Sequence, residues 1–207
     1  MIPIKKSVYF FFFLSLLLVF FDQALKIWVF IEQCELFPLN KTVPVESVPY
    51  SQRLSFDLAP FFKIIYVENN GVAFGFLSNL GVDFKFFLTL FRLFAVIFIC
   101  FFFISVIRKK KVCLLGCVPF SLVFAGALGN VIDSVFYSFL GLNLGPVGSL
   151  FQGRVIDMFS FSFFPPIFNL ADSFVCIGVF CLLLFQTNIF LNKKNSIWVD
   201  FMGLFKR

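Results

Sequence analysis

The chain has 207 residues, 60% of them apolar and 38 of them Phe, with a mean hydropathy of +0.99. That much apolar surface excludes an ordinary soluble domain and points to a protein with several membrane spans. The net charge of +6 fits cytoplasmic anchoring to anionic lipid, and no basic stretch carries the pattern of a nucleic-acid groove, so no nucleic-acid partner is expected. Histidine is absent, which removes Ser-His and Cys-His catalysis, His-ligated metals and the HExxH metalloproteases. The six cysteines contain no CxxC pair and five lie in or near apolar runs, as core or lipid-facing residues would.

The first span is expected over residues 8–30, after Lys5 and Lys6. Its length and the absence of a small-x-small exit argue against a cleaved signal peptide. Asp22 and Lys26 interrupt it four residues apart, on one face of a helix. They read either as an ion pair easing two charges near the membrane surface or as groups near a site. Residues 31–66 carry Pro38, Pro44, Pro49 and Pro60, which rule out a long helix, while LSFDLAPFFKIIYVE suggests one or more strands. Asn69 and Gly71 lie in the following NNGVAFGFL, where Asn can turn the chain or bind backbone and Gly allows a close approach.

A second span is expected over 84–107, with Arg92 in its first third, placed to snorkel or to face the interior. Arg108 to Lys111 form a sharp basic stop. A third span over 112–132 ends in the small-residue stretch AGALGN, which suits close helix packing. Packing alone leaves Asn130 and Asp133 unexplained. Residues 134–152 read as an extramembrane insertion or a surface-hugging loop, and Pro165-Pro166 blocks a helix near Phe168. The fourth span is expected over 172–191, before Lys193 and Lys194, and IWVDFMGLF in the tail reads as a short interfacial piece.

The positive-inside rule then puts both termini in the cytoplasm, with 31–83 and 134–171 outside, all within a single membrane-embedded domain of residues 1–207. Asn69, Asn130, Asp133, Asp157, Asn169 and Asp172 converge in depth at the outward end. Two carboxylates in one poorly hydrated pocket do not both ionise cheaply, so one can activate a water while the other protonates a leaving nitrogen. Asn and backbone donors can hold a peptide or polarise its carbonyl.

Five motifs in order carry a resemblance that covers nearly the whole chain: FDQALK (21–26), ENNGVAFGF (68–76), AGALGNVID (125–133), GRVIDMF (153–159) and FNLADS (168–173). The chain resembles the lipoprotein signal peptidases, the bacterial signal peptidase II family. The resemblance implies an all-α membrane protein with four transmembrane helices and a small extracytoplasmic β-containing segment. It implies an aspartic endopeptidase of the bacterial cytoplasmic (inner) membrane, acting near the outer leaflet. Such an enzyme cleaves diacylglyceryl-modified prolipoproteins before the lipidated cysteine. By motif match the catalytic pair falls on Asp157 and Asp172. Asn69, Gly71, Asn130, Asp133, Asn169, Asp22 and Lys26 become substrate-binding or supporting residues. Membrane phospholipid is an expected partner, globomycin an expected inhibitor, and no metal or organic cofactor is expected.

The chain departs from the family pattern in three places. Ser134 and Glu68 stand where Arg is usual, and the gap from Asp133 to Asp157 is long. A serine does not replace the donor fork of a guanidinium. Arg154 is a candidate for supplying charge in its place. These departures suggest altered inhibitor binding or substrate preference before lost catalysis. A non-catalytic scaffold that kept the fold is the alternative reading. A transporter is disfavoured, because the acids sit at one end and no repeat is visible.

Overall fold

The computed structural model describes residues 4–36, 54–69, 82–110, 114–143, 148 and 150–185. Gly71, the tail and the proline-rich 37–53 stretch lie outside the described residues. Four helices and a four-stranded sheet are present in the order α1 (Ile4–Leu36), β1 (Ser55–Ala59), β2 (Phe62–Asn69), α2 (Val82–Lys110), α3 (Leu114–Leu140), β3 (Val155–Phe161), β4 (Phe164–Phe168) and α4 (Leu170–Phe185). Among the described residues, Lys5–Leu36, Phe86–Ile107 and Leu114–Leu140 are long and apolar enough to cross a membrane, and α4 is a shorter apolar helix of 16 residues. The remainder of the stretch expected to 191 lies outside the described residues. Phe-rich segments of this kind form helices because, in lipid, only a helix or a closed barrel satisfies every backbone group.

Two compact units divide the chain. The first takes residues up to Phe20, Phe94–Ala127 and the chain from Ala171. Its interior is aromatic. Phe11 stacks on Phe103 with centroids 3.9 Å apart, and Phe103 meets Phe120 at 4.9 Å. Ser121 Oγ donates to Phe11 O at 3.3 Å, so the hydroxyl is satisfied by the neighbouring helix backbone. Small residues set the α3–α4 approach. A Cβ on Gly126 would collide with the backbone oxygen of Ala171, and one on Gly178 would lie 2.8 Å from Pro119 O.

The second unit takes Phe21–Leu93 and Leu128–Leu170. Its apolar core gathers Val29 of α1, Tyr137 of α3, and Leu54, Ile64, Tyr66, Ile156 and Met158 from the sheet and its approach. The sheet order is β1-β2-β3-β4, antiparallel throughout. The strands suggested by LSFDLAPFFKIIYVE are β1 and β2. VIDMF forms β3, and its four fully buried residues Val155–Met158 hide the alternation that would have revealed a strand. Pro165 and Pro166 fall in β4, at the sheet's edge, where a residue without an N–H is tolerated.

Two helix ends run past the sequence reading: α1 continues to Leu36, beyond the expected end at 30, and α3 continues into the expected insertion. Residues 134–140, expected in a loop-like insertion, continue α3. Nothing in SVFYSFL breaks a helix. It stops where Gly141 takes φ 68°, with Leu142 N donating to Tyr137 O at 2.9 Å and Gly141 N to Ser138 O at 3.4 Å. This is a Schellman ending, which needs a residue at ease in the left-handed region. The chain then folds back on α3: Phe151 N donates to Val135 O and Gly153 N to Ser134 O, both at 3.0 Å. A Cβ on Gly153 would collide with Asp133 O, so only glycine lets the start of β3 lie so close to α3.

Candidate active site

Asp22 and Lys26 are fully buried within the protein and form an ion pair that belongs to a larger polar cluster. The Lys26 ammonium has three hydrogens and three partners. Nζ lies 2.8 Å from Asp22 Oδ2, 2.7 Å from Asp133 Oδ2 and 3.0 Å from Asn130 Oδ1. Gln23 completes the junction of α1 and α3, donating to Asp133 Oδ1 at 2.9 Å and accepting from Tyr137 Oη at 3.0 Å. Charges at this depth persist when they are paired and hydrogen-bonded in this manner.

Asn130 links this cluster to the next. Its Oδ1 also accepts from Asn169 Nδ2 at 3.2 Å, and the same Asn169 amide donates to Asp157 Oδ1 at 2.7 Å. The other carboxylate oxygen of Asp157 accepts from Asn69 Nδ2 at 2.9 Å. Strand register explains that contact. Val67 pairs with Asp157 and Asn69 with Val155, so Asn69 and Asp157 are diagonal neighbours on one face. On the opposite face the same geometry joins Glu68 and Arg154, whose Nη1 lies 3.3 Å from Glu68 Oε2. Asn143, in the insertion, holds Arg154 by two backbone bonds, donating to its O at 3.1 Å and accepting from its N at 2.8 Å. The insertion thus fastens the strand that carries Asp157.

Asp157 is 3% exposed, with an amide donor at each oxygen, and an ionised carboxylate is acceptor-only. Asp172 lies in the first turn of α4, three residues after Asn169. An acid there complements the helix dipole. Its helix start is set by the buried Ala171, whose carbonyl rests over Gly126 of α3. Gly126, which packing alone explained, thus lies against the residue that precedes Asp172.

Asp22, Lys26, Asn69, Asn130, Asp133, Asp157 and Asn169 thus belong to one connected polar network. Gly71 falls outside the described residues. Two contributors carried no separate signal, and a third was seen without its direction. Gln23 stands inside FDQALK but is uncharged. Tyr137 reads as one aromatic among many. Arg92 left open which way it turned, and its Nη1 donates to Ser134 Oγ at 2.9 Å. The position that lacks the arginine usual in the family pattern therefore receives a guanidinium from another helix.

Such a network, on membrane-depth helices and an attached sheet, defines a multi-span membrane protein built around buried, hydrogen-bonded carboxylates. The family model described as signal peptidase (SPase) II matches residues 14–188. The lipoprotein signal peptidase of Porphyromonas gingivalis is 36% identical over 200 residues, covering 82% of this chain and 79% of the relative. That of Fusobacterium nucleatum is 30% identical, covering 93% and 92%. A solved bacterial membrane enzyme, determined by the in meso method, shares the fold with a TM-score of 0.53 at 29% identity, covering 87% of this chain and 86% of its own. The chain belongs to the signal peptidase II family. It is a multi-pass inner-membrane peptidase, four helices and a small open sheet in architecture.

Proposed function

We propose that Asp157 and Asp172 are the catalytic pair of this peptidase and that it cleaves diacylglyceryl-modified prolipoproteins immediately before the lipidated cysteine. The chain processes lipoprotein signal peptides as an intramembrane aspartic peptidase, in keeping with its family and its relatives. The observation that carries the assignment is Asp157 itself: a carboxylate on a buried strand, held at both oxygens by Asn69 and Asn169, with Asp172 following on the next helical turn.

One carboxyl group takes a proton from water, and the resulting hydroxide attacks the scissile carbonyl carbon. The tetrahedral intermediate collapses as the other carboxyl group gives its proton to the departing nitrogen. Asn69 and Asn169 keep Asp157 in place, Asn130 supports Asn169, and the Asp22–Lys26–Asp133 cluster anchors Asn130. The basic stretches put both termini in the cytoplasm and the acids near the outer leaflet. The apolar signal helix enters from the bilayer while its acyl chains stay in lipid. Membrane phospholipid is a further partner, and a cyclic peptide of the globomycin type is the expected inhibitor.

Complementation tests this assignment. In a bacterium depleted of its own signal peptidase II, the wild-type chain restores prolipoprotein processing and globomycin blocks it. Asp157→Asn and Asp172→Asn each leave the precursor uncleaved. Normal processing by either variant would end the assignment.

A further inference from the structure

Arg92 lies six residues into the Phe86–Ile107 stretch of α2, about 9 Å along the helix at ~1.5 Å per residue. Its α2 neighbours Phe87 and Phe91 are 65% and 68% exposed, as lipid-facing rings would be. A guanidinium at such a position is expensive unless it serves a purpose inside the protein. Snorkelling would carry it toward a helix end. Instead Nη1 reaches Ser134 Oγ of α3 at 2.9 Å, and Ser134 is 2% exposed.

Ser134 passes the interaction on. Its hydroxyl has one hydrogen, and that hydrogen goes to the backbone carbonyl oxygen of Asn130, one turn earlier on α3, at 2.8 Å. The arginine fills an acceptor site on the same oxygen, which fixes the rotor and polarises the bond to Asn130. The link to Asn169 leaves from a different atom of the same residue: the side-chain Oδ1 of Asn130 accepts from Asn169 Nδ2, whose amide also donates to Asp157 Oδ1, so Ser134 acts by steadying the turn of α3 that carries Asn130.

We propose that Arg92 is a positioning residue for peptide hydrolysis: its guanidinium fixes the Ser134 hydroxyl and, through Asn130 and Asn169, the carboxylate of Asp157. This rests on the reading of Asp157 as catalytic. Its action runs through three residues, Ser134, Asn130 and Asn169.

The test is steady-state cleavage of a lipidated prolipoprotein peptide by the purified full-length chain. Wild type, Arg92→Gln, Arg92→Lys, Ser134→Ala and the Arg92→Gln/Ser134→Ala double variant are compared, with Asp157→Asn as the blank. Arg92→Gln and Ser134→Ala should each lower kcat about tenfold, the order expected for a displaced catalytic group, and leave KM within about twofold. The double variant should be no slower than the worse single variant, because both remove one link. Arg92→Lys should recover part of kcat, and melting temperatures should stay near wild type. Wild-type kcat in Arg92→Gln, additive losses in the double variant, a rise in KM alone, or a loss that tracks unfolded protein would each overturn the proposal. Failure of the underlying reading shows differently, as full activity in Asp157→Asn.

Discussion

The two units bury opposite kinds of material. The first hides rings and backbone: Phe11 against Phe103, and Gly126 beneath the Ala171 carbonyl. The second hides charge: Lys26 between Asp22 and Asp133, and Asp157 between two asparagines. In the first, fit depends on the shape of small residues, and errors are steric. In the second, it depends on completeness, since each buried ion is tolerable only with its partners present. Close packing brings Asp172 to its place in one unit, and hydrogen bonding holds Asp157 in the other.

The sharpest way to break this contrast is to unpair the second unit. Lys26→Met leaves two carboxylates facing each other without their cation, and should cost about 3–5 kcal/mol of stability, the usual penalty for breaking a buried ion pair. Thermal unfolding in detergent reads this, and a variant as stable as wild type would show that the cluster is hydrated. In the first unit, Gly126→Leu forces a side chain onto the backbone of α4 at Ala171. It should cost about 1–3 kcal/mol, the range for overpacking. Because α4 must shift, activity should fall further than stability, and a comparison of kcat with melting temperature separates the two. The smallest effect is expected at the exposed Asp57–Lys63 pair, whose side chains are 70% and 51% exposed. Lys63→Ala should change stability by less than about 1 kcal/mol and leave cleavage unchanged.

How much of this could be read from the chain depends on how each residue declares itself. Asp22, Lys26, Asp133, Asp157 and Asp172 stand out because charge beside hydrocarbon has few bland explanations. The hairpin of β1 and β2 shows through its alternation and Pro60. β3 does not, because a strand buried on both faces has no period to see. The last turns of α3 were hidden by aromatic residues that suit loop, strand and helix alike, and only the φ of Gly141 marks the end. Gln23 and Arg92 act through contacts more than forty residues away in sequence or more, and spacing carries no trace of those: Arg92 to Ser134 is 42 residues and Gln23 to Asp133 is 110. Ser134 shows the limit most clearly. As a single position it reads as a lost arginine, and in three dimensions it is the acceptor for one.

The most direct test is cleavage of a synthetic prolipoprotein by the purified chain, with and without the diacylglyceryl group on the cysteine. Wild type should cleave the lipidated peptide before that cysteine and spare the unlipidated one. Asp157→Asn and Asp172→Asn should lose at least about 10²–10⁴ in rate, the usual share of acid–base catalysis, while remaining folded. A well-folded wild type that leaves the lipidated peptide intact in several lipids, or either variant cleaving at the wild-type rate, would contradict the account.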